Sequence, residues 1–160
     1  MNTRTRVIVA VIGFTLVSAL AWATLSSGTM STLVGPPTVY EAFDVKRQTP
    51  GLWKIRIEAK DGVKVATQTI VFQPGGESGW HSHPGPVLIS VKEGTMTFYE
   101  SDCSSRIVSA GEGFLDVGDH PHLARNESSQ QATNVVTYLV PPDAPSLRID
   151  EPQPVTCNVQ

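Results

Sequence analysis

The sequence predicts an all-β domain, an antiparallel sandwich or barrel, and three observations carry that expectation. Glycine and proline are frequent, 13 and 12 in 160 residues, so extended runs are interrupted at short intervals. Several of those runs alternate apolar and polar residues with the period of two that a half-buried strand requires. Beyond the N-terminal segment, no stretch of about twelve residues keeps a helical period through its glycines and prolines. Hydrophobic residues make up 40% of the chain and charged residues 17%, which excludes a disordered or coiled-coil chain. The length fits one domain. A formal net charge of −3 argues against nucleic acid as a partner, because phosphate binding needs a basic face.

The first residues are expected to stand outside the fold. Met1–Arg6 carries two arginines and no acid, Val7–Ala23 is uncharged, and the run closes on the small-x-small pattern Ala21-Trp22-Ala23. That is the layout of a secretory signal peptide over residues 1–23. The same run lies at the short end of the ~17–25 residues that span a bilayer, so an uncleaved signal anchor is the other reading. Either places the remaining chain outside the cytoplasm, secreted or periplasmic, with this segment its only membrane contact. Residues 24–38 are uncharged and rich in Ser, Thr, Gly and Pro, and read as a low-order linker. Residues 39–150 are then the β-domain and 151–160 a C-terminal tail.

Within the domain, Trp53, Ile55, Ile57 and Ala59 alternate with Lys54, Arg56, Glu58 and Lys60. Asp61-Gly62 and a β-rich run from Val63 to Phe72 follow, so the two runs read as a hairpin turned at Asp-Gly. A second hairpin joins Val87–Val91 to Thr95–Tyr99 through Glu93-Gly94. Shorter strands are expected at Arg106–Ser109, Gly113–Asp116, His122–Arg125, Asn134–Val140 and Leu147–Asp150. Cys103 sits in a polar loop and Cys157 in the tail. In an oxidising compartment an even cysteine count predicts a structural disulfide that staples the tail, since a redox pair more often shows Cys-x-x-Cys spacing. Closing a loop of that length contributes ~4 kcal/mol in the chain-entropy picture.

All four histidines fall in two His-x-His pairs, His81-Ser82-His83 and His120-Pro121-His122. On a strand, residues i and i+2 share a face, so each pair would turn two imidazoles toward one space. Imidazole is the commonest protein ligand for transition metals, and three or four of them complete an inner shell. Glu77 and Glu93 read as solvated loop charges. Trp80, next to His81, would face the opposite way, and Met96, Phe98 and Phe114 read as packing residues.

The stretch GGESGWHSHPGPVLISVKEGTMTFYE, followed by AGEGFLDVGDHPHLARN, resembles the two motifs of the small single-domain cupins. Gly75, His81, His83 and Gly94 fill the first motif, and Gly111, His122 and Asn126 the second. The resemblance implies an antiparallel double-stranded β-helix, a jelly-roll barrel. It also implies a metal held by His81, His83 and His122, with Gly75, Gly94, Gly111 and Asn126 as structural residues. Val87 stands where the family usually has a metal-binding glutamate, and Val117 and Asp119 replace a usual Pro and Gly. His120 is either a fourth ligand or, if Pro121 breaks the strand, a solvent-facing, supporting or acid–base group. Asn126-Glu127-Ser128 is formally a glycosylation sequon, but the resemblance makes Asn126 an interior residue.

A site of neutral imidazoles favours Fe, Zn, Cu or Ni as the divalent cofactor over Mn, which prefers oxygen. Cupins with three-histidine sites include Fe(II) dioxygenases, so a metal-dependent oxidoreductase acting on a small molecule is one expectation. A non-catalytic module binding a metal or small ligand is the other, and the missing glutamate favours it. The family's strand edges also allow a homodimer.

Overall fold

The computed structural model describes residues 23–159, so the expected signal segment, Ala23 apart, lies outside the described residues. Among the described residues there are thirteen strands and no helix. They are β1 (Ser27–Leu33), β2 (Thr38–Tyr40), β3 (Phe43–Thr49), β4 (Trp53–Ala59), β5 (Val63–Glu77), β6 (His81–Ser82) and β7 (Val87–Glu93), followed by β8 (Thr95–Glu100), β9 (Ser105–Ser109), β10 (Gly113–Asp116), β11 (His122–Arg125), β12 (Ala132–Val140) and β13 (Ile149–Asp150). Eleven of them form one antiparallel sheet that curls into a nearly closed barrel. Its longest strand, β5, pairs in turn with β1, β2, β12 and β11. Alternation decides what the barrel encloses: Val87, Ile89 and Val91 of β7 are buried while Leu88, Ser90 and Lys92 face outward. Phe72, Met96, Phe98, Val136 and Val140 complete the main core from neighbouring strands.

Two expectations about the N-terminal half are corrected. Residues 24–38 are not a low-order linker, because β1 runs antiparallel to β5 with Thr29 opposite Phe72 and Leu33 opposite Gln68. Threonine suits a strand, and an edge strand with few inward apolar residues has the composition of a linker. The turn at Asp61-Gly62 does not join β4 to β5. Instead β4 folds back on β3 through Pro50-Gly51, with Val45 opposite Ile57 and Thr49 opposite Trp53. Gly62, at φ +82°, returns the chain so that Val63 pairs with Tyr40 of β2. The β3–β4 hairpin is therefore a separate two-stranded sheet inserted between β2 and β5, not part of the barrel as residues 39–150 would have it.

The turn between β7 and β8 needs glycine. Gly94 has φ +76°, and a Cβ there would lie 2.8 Å from the carbonyl oxygen of Gln131. Asn126 is wholly buried, with Nδ2 donating to the carbonyls of Phe72, Gln73 and Gln130 while Oδ1 accepts from the amide of Ser128. Such an amide is not presented as a glycan acceptor. A second cluster lies outside the barrel, where Trp80 and Leu123 pack under Cys157 with Tyr99 beside them. Cys157 is bonded to Cys103, which fastens the tail across that cluster to the loop after β8.

Removing this crosslink with Cys103→Ser and Cys157→Ser together should cost about 2–5 kcal/mol, seen as a lower midpoint in urea unfolding. An unchanged midpoint would mean that packing on Trp80 alone holds the tail.

Candidate metal centre

Three of the four histidines converge. His81 opens the two-residue strand β6 and stands directly across from His122, the first residue of β11. Cross-strand partners project to the same side, so both imidazoles enter the barrel. His83 follows two residues later on that side, and its amide donates to the carbonyl of Gly118 at 2.8 Å. Ring centroids are 4.3 Å apart for His81 and His122, 4.8 Å for His81 and His83, and 5.1 Å for His83 and His122. One ligand nitrogen from each ring lies within 4.8 Å of the other two. All three residues are buried.

Their hydrogen bonds prepare them to bind a cation. Nδ1 of His81 donates to the carbonyl of Gly79 at 2.9 Å, and Nδ1 of His83 to that of Leu147 at 2.7 Å. A carbonyl only accepts, so the proton sits on Nδ1 and the Nε2 lone pair is left for a metal. Burial pushes the His81 imidazole well below its ordinary range, and the charges of His122 and Arg148 add to that effect. Burial likewise brings His83 down to about 4 and lowers His122, against the opposing pull of Asp116. Near neutral pH the trio is uncharged, the form that ligates. Buried, tautomer-fixed imidazoles at this spacing fit a divalent transition metal.

His120 does not join them. Pro121 supplies no N–H, and β11 begins only at His122, so the i, i+2 rule does not extend back to His120. Its Nδ1 lies 2.9 Å from Asp119 and its Nε2 2.7 Å from Glu100, at the barrel rim. The bond to Asp119 raises its pKa most; desolvation opposes it, and the bond to Glu100 adds to the rise. It is a partly exposed ion-pair residue and not a fourth ligand.

Other polar groups at the site are not evident from the sequence. Asp116 is buried on β10 directly opposite Val87, and its Oδ2 lies 3.0 Å from Nε2 of His122. Its Oδ1 accepts the amide of Gly118 at 2.7 Å. Gly118 is fixed as glycine by φ +96° and by the carbonyl of Gly85, 2.3 Å from where a Cβ would sit. Beside the trio opens a cavity of about 220 Å³. Its polar lining includes Gln68, Asn134, Tyr138 and Arg148, and β1 contributes Thr29 and Ser31. Tyr138 donates its hydroxyl to Gln68 at 3.1 Å, and burial raises its pKa to about 12, so it stays protonated. Asn134 is buried, and its Oδ1 has no hydrogen-bond partner among the described residues. The guanidinium of Arg148 donates through Nε to Asp150. Asn134 and Tyr138 interrupt the inward apolar positions of β12, which is the signal that separates them from core residues. Arg148 is brought in by the segment that leads into β13 and carries no such local sign.

The profile of the family described as Cupin domain matches residues 68–138. No curated protein sequence matches the chain. Among solved structures, an oxalate oxidase in complex with the substrate analogue glycolate is 28% identical over 46% of this chain, with a TM-score of 0.42. The match covers only 40% of that oxidase. The Cupin_2 domain of an XRE family transcriptional regulator from Enterobacter cloacae is 19% identical, covering 72% of this chain and 99% of that domain at a TM-score of 0.49. A cupin domain from Bordetella pertussis is 18% identical, with 62% and 93% covered and a TM-score of 0.43. The matched profile agrees with the two motifs, and residues 68–138 are similar to a cupin domain.

Proposed function

We propose that this protein holds one divalent transition metal, Fe, Zn, Cu or Ni, at His81, His83 and His122, and that it is a metal-dependent oxidoreductase acting on a small molecule in the adjoining cavity. The observation that carries this reading is the convergence of three buried imidazoles whose Nδ1 atoms face backbone carbonyls. A bound divalent ion would supply Lewis acidity, polarising an oxygen or sulfur of the substrate at a position the protein leaves open. The chain's own residues would position that molecule. Asn134 Oδ1 offers an acceptor, the Tyr138 hydroxyl stays protonated and donates, and Arg148 offers N–H groups to an acidic function. About 220 Å³ is below the usual range for drug-sized ligands, which restricts the substrate to a small molecule. The Cys103–Cys157 bond supports an oxidising, extracytoplasmic location.

A second reading is a non-catalytic module that binds a metal or small ligand. It is favoured by the protonated state of Tyr138 and the pairing of Arg148 with Asp150, which leave the cavity without an evident acid–base group besides the imidazoles. Oxygen uptake by the Fe(II)-loaded protein, measured with small acids, thiols and diketones, separates the two. Turnover with any of them supports the enzyme, whereas saturable binding without turnover supports the module.

Elemental analysis of protein produced by export should find about one Fe, Cu, Ni or Zn per chain. His81→Ala combined with His83→Ala should abolish that content while the barrel stays folded by circular dichroism. Full metal retention by the double variant would refute the site.

Stability of the metal-free protein should depend on pH. The unfolded imidazoles protonate near 6.5, whereas burial holds His83 at about 4. The unfolded state therefore binds more protons between those values, and stability falls as pH drops through that window. Replacing His83 with Gln should flatten that part of a melting-temperature profile; an unchanged slope would show that His83 does not contribute.

A further inference from the structure

We propose that Asp116 supplies a carboxylate ligand to the same ion, so that the centre is three imidazoles and one carboxylate contributed from β10. This rests on the metal reading above and deepens it.

Three observations converge on Asp116. Its side chain projects into the barrel at the level of the histidines, because it is the cross-strand partner of Val87, the innermost apolar residue of β7. It is a buried carboxylate, and among the described residues its one ion-pair contact is His122. The amide of Gly118 satisfies Oδ1, which leaves Oδ2 directed at His122. The third observation concerns His122. Its Nδ1 lies 3.2 Å from the carbonyl of His120, while its Nε2 lies 3.0 Å from the Asp116 carboxylate. Both partners are acceptors, and a neutral imidazole donates one proton only. A cation adjoining Nε2 and Oδ2 satisfies the carboxylate and the lone pair together, with Nδ1–H still donating to His120.

The separation of Asp116 Oδ2 from His122 Nε2 agrees with shared ligation by that pair, while the group whose ligand atoms all lie within 4.8 Å of one another is His81, His83 and His122. Two ligand atoms, each about 2.0–2.2 Å from an ion and at right angles, are separated by about 3 Å. The four-ligand set has a chemical consequence. A carboxylate adds a hard oxygen donor and lowers the net charge of the centre, extending its preference toward Mn(II) and Fe(II).

The test compares Mn(II) and Zn(II) binding to the wild type, to Asp116→Asn, and to Asp116→Ala combined with Val87→Glu, by competition with a chelator. Asp116→Asn should weaken Mn(II) at least tenfold and Zn(II) less. The double variant, which returns a carboxylate to the barrel from the neighbouring strand, should recover most of the Mn(II) affinity. Equal affinities in wild type and Asp116→Asn would overturn the proposal. A loss that Val87→Glu does not recover would make Asp116 only a positioning partner of His122, which also overturns it. Should the variants misfold, anomalous diffraction from Mn(II)-loaded wild type decides directly. An ion about 2.0–2.3 Å from Asp116 Oδ2 is expected, and a carboxylate more than about 3 Å away refutes ligation. A wild type that binds neither metal refutes the histidine site as well, whereas metal held by the histidines alone refutes only the role of Asp116.

Discussion

The cross-strand pairing of His81 with His122 is the contact on which the rest of the site depends. Strand β6 is only two residues long and has little pairing energy of its own. It is held between β11 on one side and β13 on the other, where Asp150 stands opposite His81 and Ile149 opposite Ser82. The C-terminal segment is therefore structural support for the histidine trio. Leu147 gives its carbonyl to His83, Glu151 gives its carboxylate to Ser82, and Arg148 lines the cavity. The disulfide and the Trp80–Leu123 cluster fix that segment from the outside, so residues remote from the histidines in sequence set how rigidly they are presented. Thr24 adds a further tie, accepting the amide of Trp80 and donating to the carbonyl of Glu151.

Bringing three imidazoles together under burial also fixes their chemistry. Each ring loses hydration, and each would repel a charge on its neighbours, so desolvation and mutual proximity act in one direction, toward the neutral form. The cost of burying a polar ring is then met at Nδ1, where a backbone carbonyl accepts the remaining proton. That arrangement leaves lone pairs converging on a small volume. A metal would relieve the crowding of acceptors, which ties the low proton affinity of the trio directly to its capacity to bind a divalent ion.

Much of the barrel was legible in the sequence because its signals are local. Alternation along Val87–Val91 and Asn134–Val140 marks inward and outward faces whatever the pairing partners are. The His-x-His spacing marks a shared face by the same rule. Partner choice is not local, and that is where the reading failed. Trp53–Ala59 alternates equally well against Phe43–Thr49 or against β5, and only the position of β2 on β5 excludes the second pairing. The sequence 24–38 lacks the apolar alternation of a core strand because much of β1 is exposed and part of it borders a polar cavity. Asp116 was readable as the end of a short strand, but its importance comes from register, which puts it opposite Val87 and beside His122. No single strand contains that information.

His120 and His122 show why residue type and spacing do not by themselves define a ligand. They are two residues apart, yet one is raised in pKa and the other lowered. Carboxylates reach both, Asp119 and Glu100 at the rim and Asp116 inside. The difference lies in what burial does. At the rim, solvent supports a charged imidazole and two carboxylates stabilise it further. Inside, desolvation outweighs the single carboxylate, so the neutral ring persists beside Asp116. Pro121 separates the two environments by ending the ladder between the two rings. The inner contact thus joins a buried neutral imidazole to a carboxylate, and the outer one is an ion pair at the surface.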